Sequence, residues 1–229
     1  MSQPIFITGI GTDVGKTIVA AIIIEALQAD YWKPVQAGYE NGTDVLQVKN
    51  LITNTRSVIH PEVYKLSLAA SPHIAARMDN VKIDLAVIVK KYEKLATENS
   101  QQKNGNPLII EGAGGLLVPL NENEFVIDLI QKLDAKVILV SRNYLGSINH
   151  SLLTAVVCKQ NKLNVVGWVF NDQYMNYEDE IVQWSGYKKI TSIPFVKDIN
   201  RSFIKQHADK INMSLQHFKK LATCVQDRH

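Results

Sequence analysis

Residues Pro4 to Thr17, Pro-Ile-Phe-Ile-Thr-Gly-Ile-Gly-Thr-Asp-Val-Gly-Lys-Thr, constrain the fold more than any other stretch of this 229-residue chain. An apolar run of strand length enters a glycine-bearing loop, and Gly15-Lys16-Thr17 opens the Ala/Ile-rich segment Thr17–Ala29. Strand, loop and helix in that order make a phosphate-binding turn. Glycines let backbone N–H groups approach phosphate oxygens, and the helix N-terminus adds partial positive charge. In such a loop Lys16 reaches the β- and γ-phosphates of a nucleoside triphosphate, most simply ATP, and the Thr17 hydroxyl ligates Mg²⁺. The nucleotide-binding stretch is therefore expected at Asp13, Val14, Gly15, Lys16, Thr17 and Ile18. One spacing departs from the usual pattern. Ile10 stands where a glycine is usual, with Gly9 and Gly11 on either side.

Further apolar runs at Leu108–Glu111, Lys136–Ser141, Val165–Asn171 and, more weakly, Lys189–Ile193 are expected as strands, together with Pro4–Thr8. Near-continuous hydrophobic strands belong in a parallel sheet covered on both faces. Helical spacing recurs between them, at Thr17–Ala29, Ile83–Glu98 and Ser147–Lys162. The expected architecture is α/β, a phosphate-loop NTPase-like, doubly wound and mostly parallel sheet with helices on both faces. It is expected to form one domain over residues 1–229. Glu98–Asn106 is polar enough for a surface loop, and the charged segment Asn200–Asp227 reads as a solvated, partly helical end.

Charge narrows the partners. A formal charge of +3 without any Lys/Arg block argues against nucleic acid and suits small anions. Cys158 and Cys224 have no metal-ligand spacing, and Cys158 reads as a core residue. No apolar run reaches membrane-spanning length and no signal-type segment leads the chain, so a cytoplasmic setting is the default expectation.

A metal held beside phosphates also needs carboxylates. Glu111 is expected at the carboxyl end of its strand, where such sheets bind ligands, and Gly112, Ala113 and Gly114 would let backbone approach a charged group. Asp44 lies in the polar segment Glu40–Asp44 soon after Lys33-Pro-Val. Thr17, Asp44 and Glu111 are the candidate metal ligands, although either acid alone could equally be a surface carboxylate or a helix cap. Asn171-Asp172 follows a buried strand, where an amide can pair with a purine edge or simply close an Asx turn.

Six segments together carry a specific resemblance: Gly9–Thr17, Lys33-Pro-Val-Gln-Ala-Gly38, Ser71-Pro72-His73, Glu111-Gly-Ala-Gly-Gly115, Leu145-Gly146-Ser147-Ile148-Asn149-His150 and Gly167-Trp-Val-Phe-Asn171-Asp172. In this order, spread over nearly the whole chain, they resemble the dethiobiotin synthetases. That family also uses the longer glycine spacing, which accounts for Ile10.

The resemblance implies Mg·ATP-dependent closure of 7,8-diaminononanoate and CO₂ to dethiobiotin, ADP and phosphate in biotin biosynthesis, through a carbamate and a carbamic–phosphoric anhydride. It implies catalytic roles for Lys33, which stabilises the carbamate, and for Lys16 and Thr12. It places Thr12, Lys33, Ala37, Ser71, Pro72 and His73 near the diamine, with Ala37 lacking the hydroxyl common in the family. It implies that Leu145, Gly146, Ser147, Ile148 and Asn149 receive the substrate carboxylate from a neighbouring subunit, hence a homodimer. Asp13 takes the place of an acidic loop residue often found in the family. Pro194, Phe195 and Val196 resemble a second wall of the base pocket. Two other readings of a phosphate-loop chain remain: a related amidoligase, which commonly carries a glutaminase domain, and an ATPase switch of the partition type, which tends to carry an additional early loop lysine.

Overall fold

The computed structural model describes residues 3–40, 42–100, 105–172 and 174–211. The first half runs through β1 (Ile5–Gly9), α1 (Lys16–Leu27), β2 (Asp30–Trp32), β3 (Val35–Ala37), α2 (Asp44–Leu51), β4 (Ile59–His60), β5 (Tyr64–Leu66), α3 (Pro72–Met78) and α4 (Leu85–Ser100). The second runs through β6 (Leu108–Gly115), α5 (Val126–Lys132), β7 (Lys136–Arg142), α6 (Ser147–Gln160), β8 (Asn164–Asn171), α7 (Glu178–Ser185) and β9 (Lys189–Ile193). A helical stretch follows at 201–211. Among the described residues the main sheet has seven strands in the order β4-β2-β6-β1-β7-β8-β9, all paired in parallel. β3 and β5 form a small parallel ladder of their own.

The sheet is buried on both faces, which explains why its strands read as unbroken apolar runs. Phe6, Ile110, Leu139 and Phe170 point into one core; Ile7, Ile109, Ile138 and Val169 point into the other. α1 is fully buried from Val19 to Ile24 because it lies against the central strands, so it needs no polar face. Each such Val or Ile contributes about 1.5–3 kcal/mol by leaving water.

Two expectations need correction. β6 continues to Gly115, so Glu111 lies within the strand rather than at its end. The glycines concealed that continuation. A Cβ on Gly112 would lie 2.6 Å from the Phe6 ring, so close strand packing requires glycine here. α4 extends through Ser100, into the expected loop. Residues 101–104 of that loop, the end of the charged segment from 212 onward and Cys224 lie outside the described residues. Cys158 is buried, and burial pushes its thiol up to about 12. No helix among the described residues is long and apolar enough to cross a membrane.

Candidate active site

The carboxyl ends of β1, β2, β7 and β8 converge on one edge of the sheet, where open α/β sheets bind ligands. β1 delivers the glycine loop there. Asp13 and Gly15 turn through left-handed backbone at φ 56° and 88°. At Gly15 no side chain fits, because a Cβ would fall 2.2 Å from Asn171 Nδ2. Lys16 begins α1, and its ammonium bends back to donate to Gly11 O at 2.8 Å. Burial, followed by the positive charge of Lys33, lowers the Lys16 pKa to about 8.

Behind the loop lies a dense ionic cluster. Lys33, directly after β2, has Nζ 2.7 Å from Asp44 Oδ2 and 2.9 Å from Glu111 Oε1. Thr17 Oγ1 donates toward the same two carboxylates, at 3.1 Å to Asp44 and 2.9 Å to Glu111. Burial alone would lower the pKa of Lys33. The adjoining Glu111 and Asp44 outweigh it and hold the pKa above the ordinary lysine value. Lys33 is therefore a fixed ammonium. It can neutralise or hydrogen-bond an anion.

Sheet register explains how the cluster assembles. Tyr31 and Trp32 on β2 pair with Ile109 and Ile110 on β6. Alternation then sends Tyr31, Ile109 and Glu111 to the same face, the one covered by α1 and Thr17. Asp44 is set separately. Thr43 caps α2 by accepting from Leu46 N–H, and Gln36 Oε1 accepts from Asp44 N–H at 3.3 Å. Buried Gln36 also donates to Gly38 O at 2.8 Å, fixing the turn between β3 and α2. Gln36 falls inside the Lys33–Gly38 segment without a role of its own there, Tyr31 lies outside every motif, and only the register brings Tyr31 to the site.

The donor set fits a hard divalent cation. One hydroxyl and two carboxylates supply oxygen ligands suited to Mg²⁺, and no group of three or more His, Cys, Asp or Glu side chains among the described residues offers a competing metal centre.

Beyond the loop, Val14, Ile18, Asn171, Pro194, Phe195 and Val196 line an open cleft whose wall includes Gly15. Asn171 Nδ2 donates to Val14 O at 2.6 Å, so this amide first clamps β8 to the loop. Asp172 has φ 69° and receives Arg142 Nε at 3.1 Å, across the mouth of the same cleft. Arg142 was not expected at the site; it shows itself only once β7 and β8 lie side by side.

The other expected substrate residues separate into three groups. Thr12 is exposed on the loop and faces Gly114, whose Cβ would lie 3.6 Å from its hydroxyl; half-buried Ala113 precedes it on β6. Ala37 ends β3, against which α3 packs. At the start of α3, Ser71 Oγ and His73 Nδ1 lie 3.0 Å apart, with Pro72 buried between them. The 145–149 turn is part buried and part open. Ser147 is fully buried, its N–H donates to Tyr144 O, and its hydroxyl lies 2.7 Å from the Tyr177 hydroxyl. Gly146 turns at φ 100°, Leu145 is 84% exposed, and Ile148 and Asn149 supply first-turn N–H groups of α6. Between this helix and the loop runs an apolar groove lined by Gly9, Gly11, Leu116, Leu117, His150 and Leu153.

Comparisons with known proteins extend the geometry. A family model described as an AAA domain matches residues 3–202. An ATP-dependent dethiobiotin synthetase of Cytophaga hutchinsonii is 49% identical over 208 residues, covering 90% of this chain and 95% of the relative. Its counterpart in Christiangramia forsetii is 42% identical and covers 94% and 99%. Among solved structures, the MinC:MinD cell division complex of Aquifex aeolicus includes a chain similar in fold alone, with TM-score 0.62 at 15% identity over 95% of this chain and 96% of that one.

Proposed function

The chain belongs to the ATP-dependent dethiobiotin synthetase family, and on that premise we propose how its own residues perform the family's reaction. The enzyme is a ligase that unites 7,8-diaminononanoate with CO₂ and uses ATP to close the ring, releasing ADP and phosphate. One observation carries the assignment of roles: Lys33 is a buried ammonium, within 2.7–2.9 Å of two carboxylates and beside the phosphate loop. A substrate amine takes up CO₂ as a carbamate, and Lys33 holds that anion by charge and hydrogen bonding. Lys16 reaches the γ-phosphate, and Thr12 contacts the diamine. A carbamate oxygen attacks the γ-phosphorus and the bond to ADP breaks. The second amine then attacks the carbamate carbon, and phosphate leaves as the ring closes. Such a transfer gains chiefly from positioning and charge neutralisation, which the two lysines supply.

Thr17, Asp44 and Glu111 would hold Mg²⁺. Bound there, the ion neutralises charge on the phosphate oxygens. The base would occupy the cleft between Asn171-Asp172 and Pro194–Val196, with Asp13 at its loop edge. Ser71–His73 and Ala37 would flank the diamine. A homodimer belongs to this reading. Leu117, Leu145 and Leu153 are each more than half exposed, and a second copy would cover them while bringing its 145–149 turn to the substrate carboxylate. So does a cytoplasmic setting.

The test is an omission assay. ADP release is measured with the diamine and bicarbonate together, with each alone and with neither, and dethiobiotin is sought by mass. The reading expects product and full turnover only in the complete mixture; ATP hydrolysis that ignores both compounds would refute it.

A further inference from the structure

Tyr31 stands outside the roles assigned above, yet it touches the centre of the site. It is fully buried on β2, and its hydroxyl donates to Glu111 Oε2 at 2.7 Å. The two oxygens of Glu111 thus have different surroundings. Oε1 faces Thr17 and Lys33 at 2.9 Å each, while Oε2 is turned back toward the core and engaged by the phenol. A buried carboxylate oxygen bonded to a buried phenol has no cheap alternative partner, because turning it away would leave both groups unsatisfied.

We propose that Tyr31 is a positioning residue that makes Glu111 a one-oxygen ligand and thereby sets the cation preference of the site toward Mg²⁺ and against Ca²⁺. The inference rests on the reading that Glu111 faces the divalent cation. Mg²⁺ requires near-octahedral geometry at about 2.0–2.1 Å and is served by single oxygens, whereas Ca²⁺ accepts six to eight oxygens at about 2.3–2.6 Å and readily takes a carboxylate through both. A phenol bonded to Oε2 and holding it away from Oε1's partners competes with the second mode. Register explains why a tyrosine can do this: its partner across β6 is Ile109, two residues before Glu111 on the same face, so the ring fills the space beneath the carboxylate and its hydroxyl meets Oε2.

The test is calorimetric titration of Mg²⁺ and of Ca²⁺ into the full chain with ADP, for wild type and Tyr31→Phe, alongside the Mg²⁺ concentration for half-maximal ADP release. The expected result is Mg²⁺ binding about tenfold weaker in Tyr31→Phe, Ca²⁺ binding unchanged or tighter, and a Mg²⁺-to-Ca²⁺ affinity ratio at least tenfold smaller. An unchanged ratio, even with a lowered melting temperature, would reduce Tyr31 to a packing residue and overturn the proposal. Wild type without Mg²⁺ dependence would instead sink the metal-site reading beneath it. A second measurement needs no variant. In crystals of the wild type with ADP and Mg²⁺, Oε2 should remain on the Tyr31 hydroxyl with Oε1 alone toward the ion, and chelation through both oxygens would overturn the proposal.

Discussion

At the phosphate end of the site, Lys16, Lys33, Glu111 and Tyr31 are all buried and joined to loop, sheet or one another by bonds of 2.7–2.9 Å. At the base end, Phe195 is 65% exposed, and the Arg142–Asp172 pair sits partly in water, where an ion pair contributes only about 0–1 kcal/mol. The contrast teaches where precision is needed. Charge develops at the transferring phosphoryl group, so fixed dipoles and cations must already stand in place there. On the proposed reading the base is only held, and an open cleft suffices. Even the two lysines of the tight end differ. Burial prevails at Lys16 and lowers its pKa to about 8, while paired carboxylates prevail at Lys33 and raise it.

If that contrast is real, damage should scale with position. Lys16→Ala should have the largest effect of these, a fall of about 10³-fold in kcat/KM for ATP in steady-state kinetics. Glu111→Gln removes one partner of a buried ion pair and should destabilise the protein by about 3 kcal/mol in urea unfolding while weakening its Mg²⁺ dependence. A third effect is pH-dependent. ATP needs Lys16 as a cation, so affinity should hold below pH 8 and fall up to about tenfold per pH unit above it, as the free protein loses that proton. Lys16→Arg should abolish this dependence in calorimetric titrations. For folding the sign reverses. The unfolded chain binds the proton more tightly, so Lys16 opposes folding below pH 8 and relief comes between pH 8 and 10.5. The smallest effect belongs to the base end. Phe195→Ala should raise KM for ATP about fivefold with kcat unchanged, the loss of one partial stacking contact.

How much of this was legible in the chain depended on length of signal. β1, α1, β7, α6, β8 and β9 announce themselves by apolar runs or helical spacing of adequate length, and with them the doubly wound sheet. Strands of two or three residues such as β2 and β4 have no period to read, yet β2 positions both Tyr31 and Lys33. Lys16, Thr17, Lys33, Asp44 and Glu111 were nameable because phosphate chemistry and a family resemblance demand their types. Tyr31, Gln36 and Arg142 were not, since their part depends on register and on neighbours 80, 8 and 30 residues away. Ser147 buries its hydroxyl against Tyr177, a packing role that its place in the sequence does not announce.

The division of labour between the two lysines is the centre of the account, and Lys33→Ala tests it most directly. ATP affinity and dethiobiotin formation are measured on the same preparation, by titration calorimetry and by mass. The account predicts ATP binding within about threefold of wild type and ring closure reduced by about 10²-fold or more, as expected for a group that stabilises charge only as the reaction proceeds. Complete loss of ATP binding, equal to that of Lys16→Ala, would contradict it.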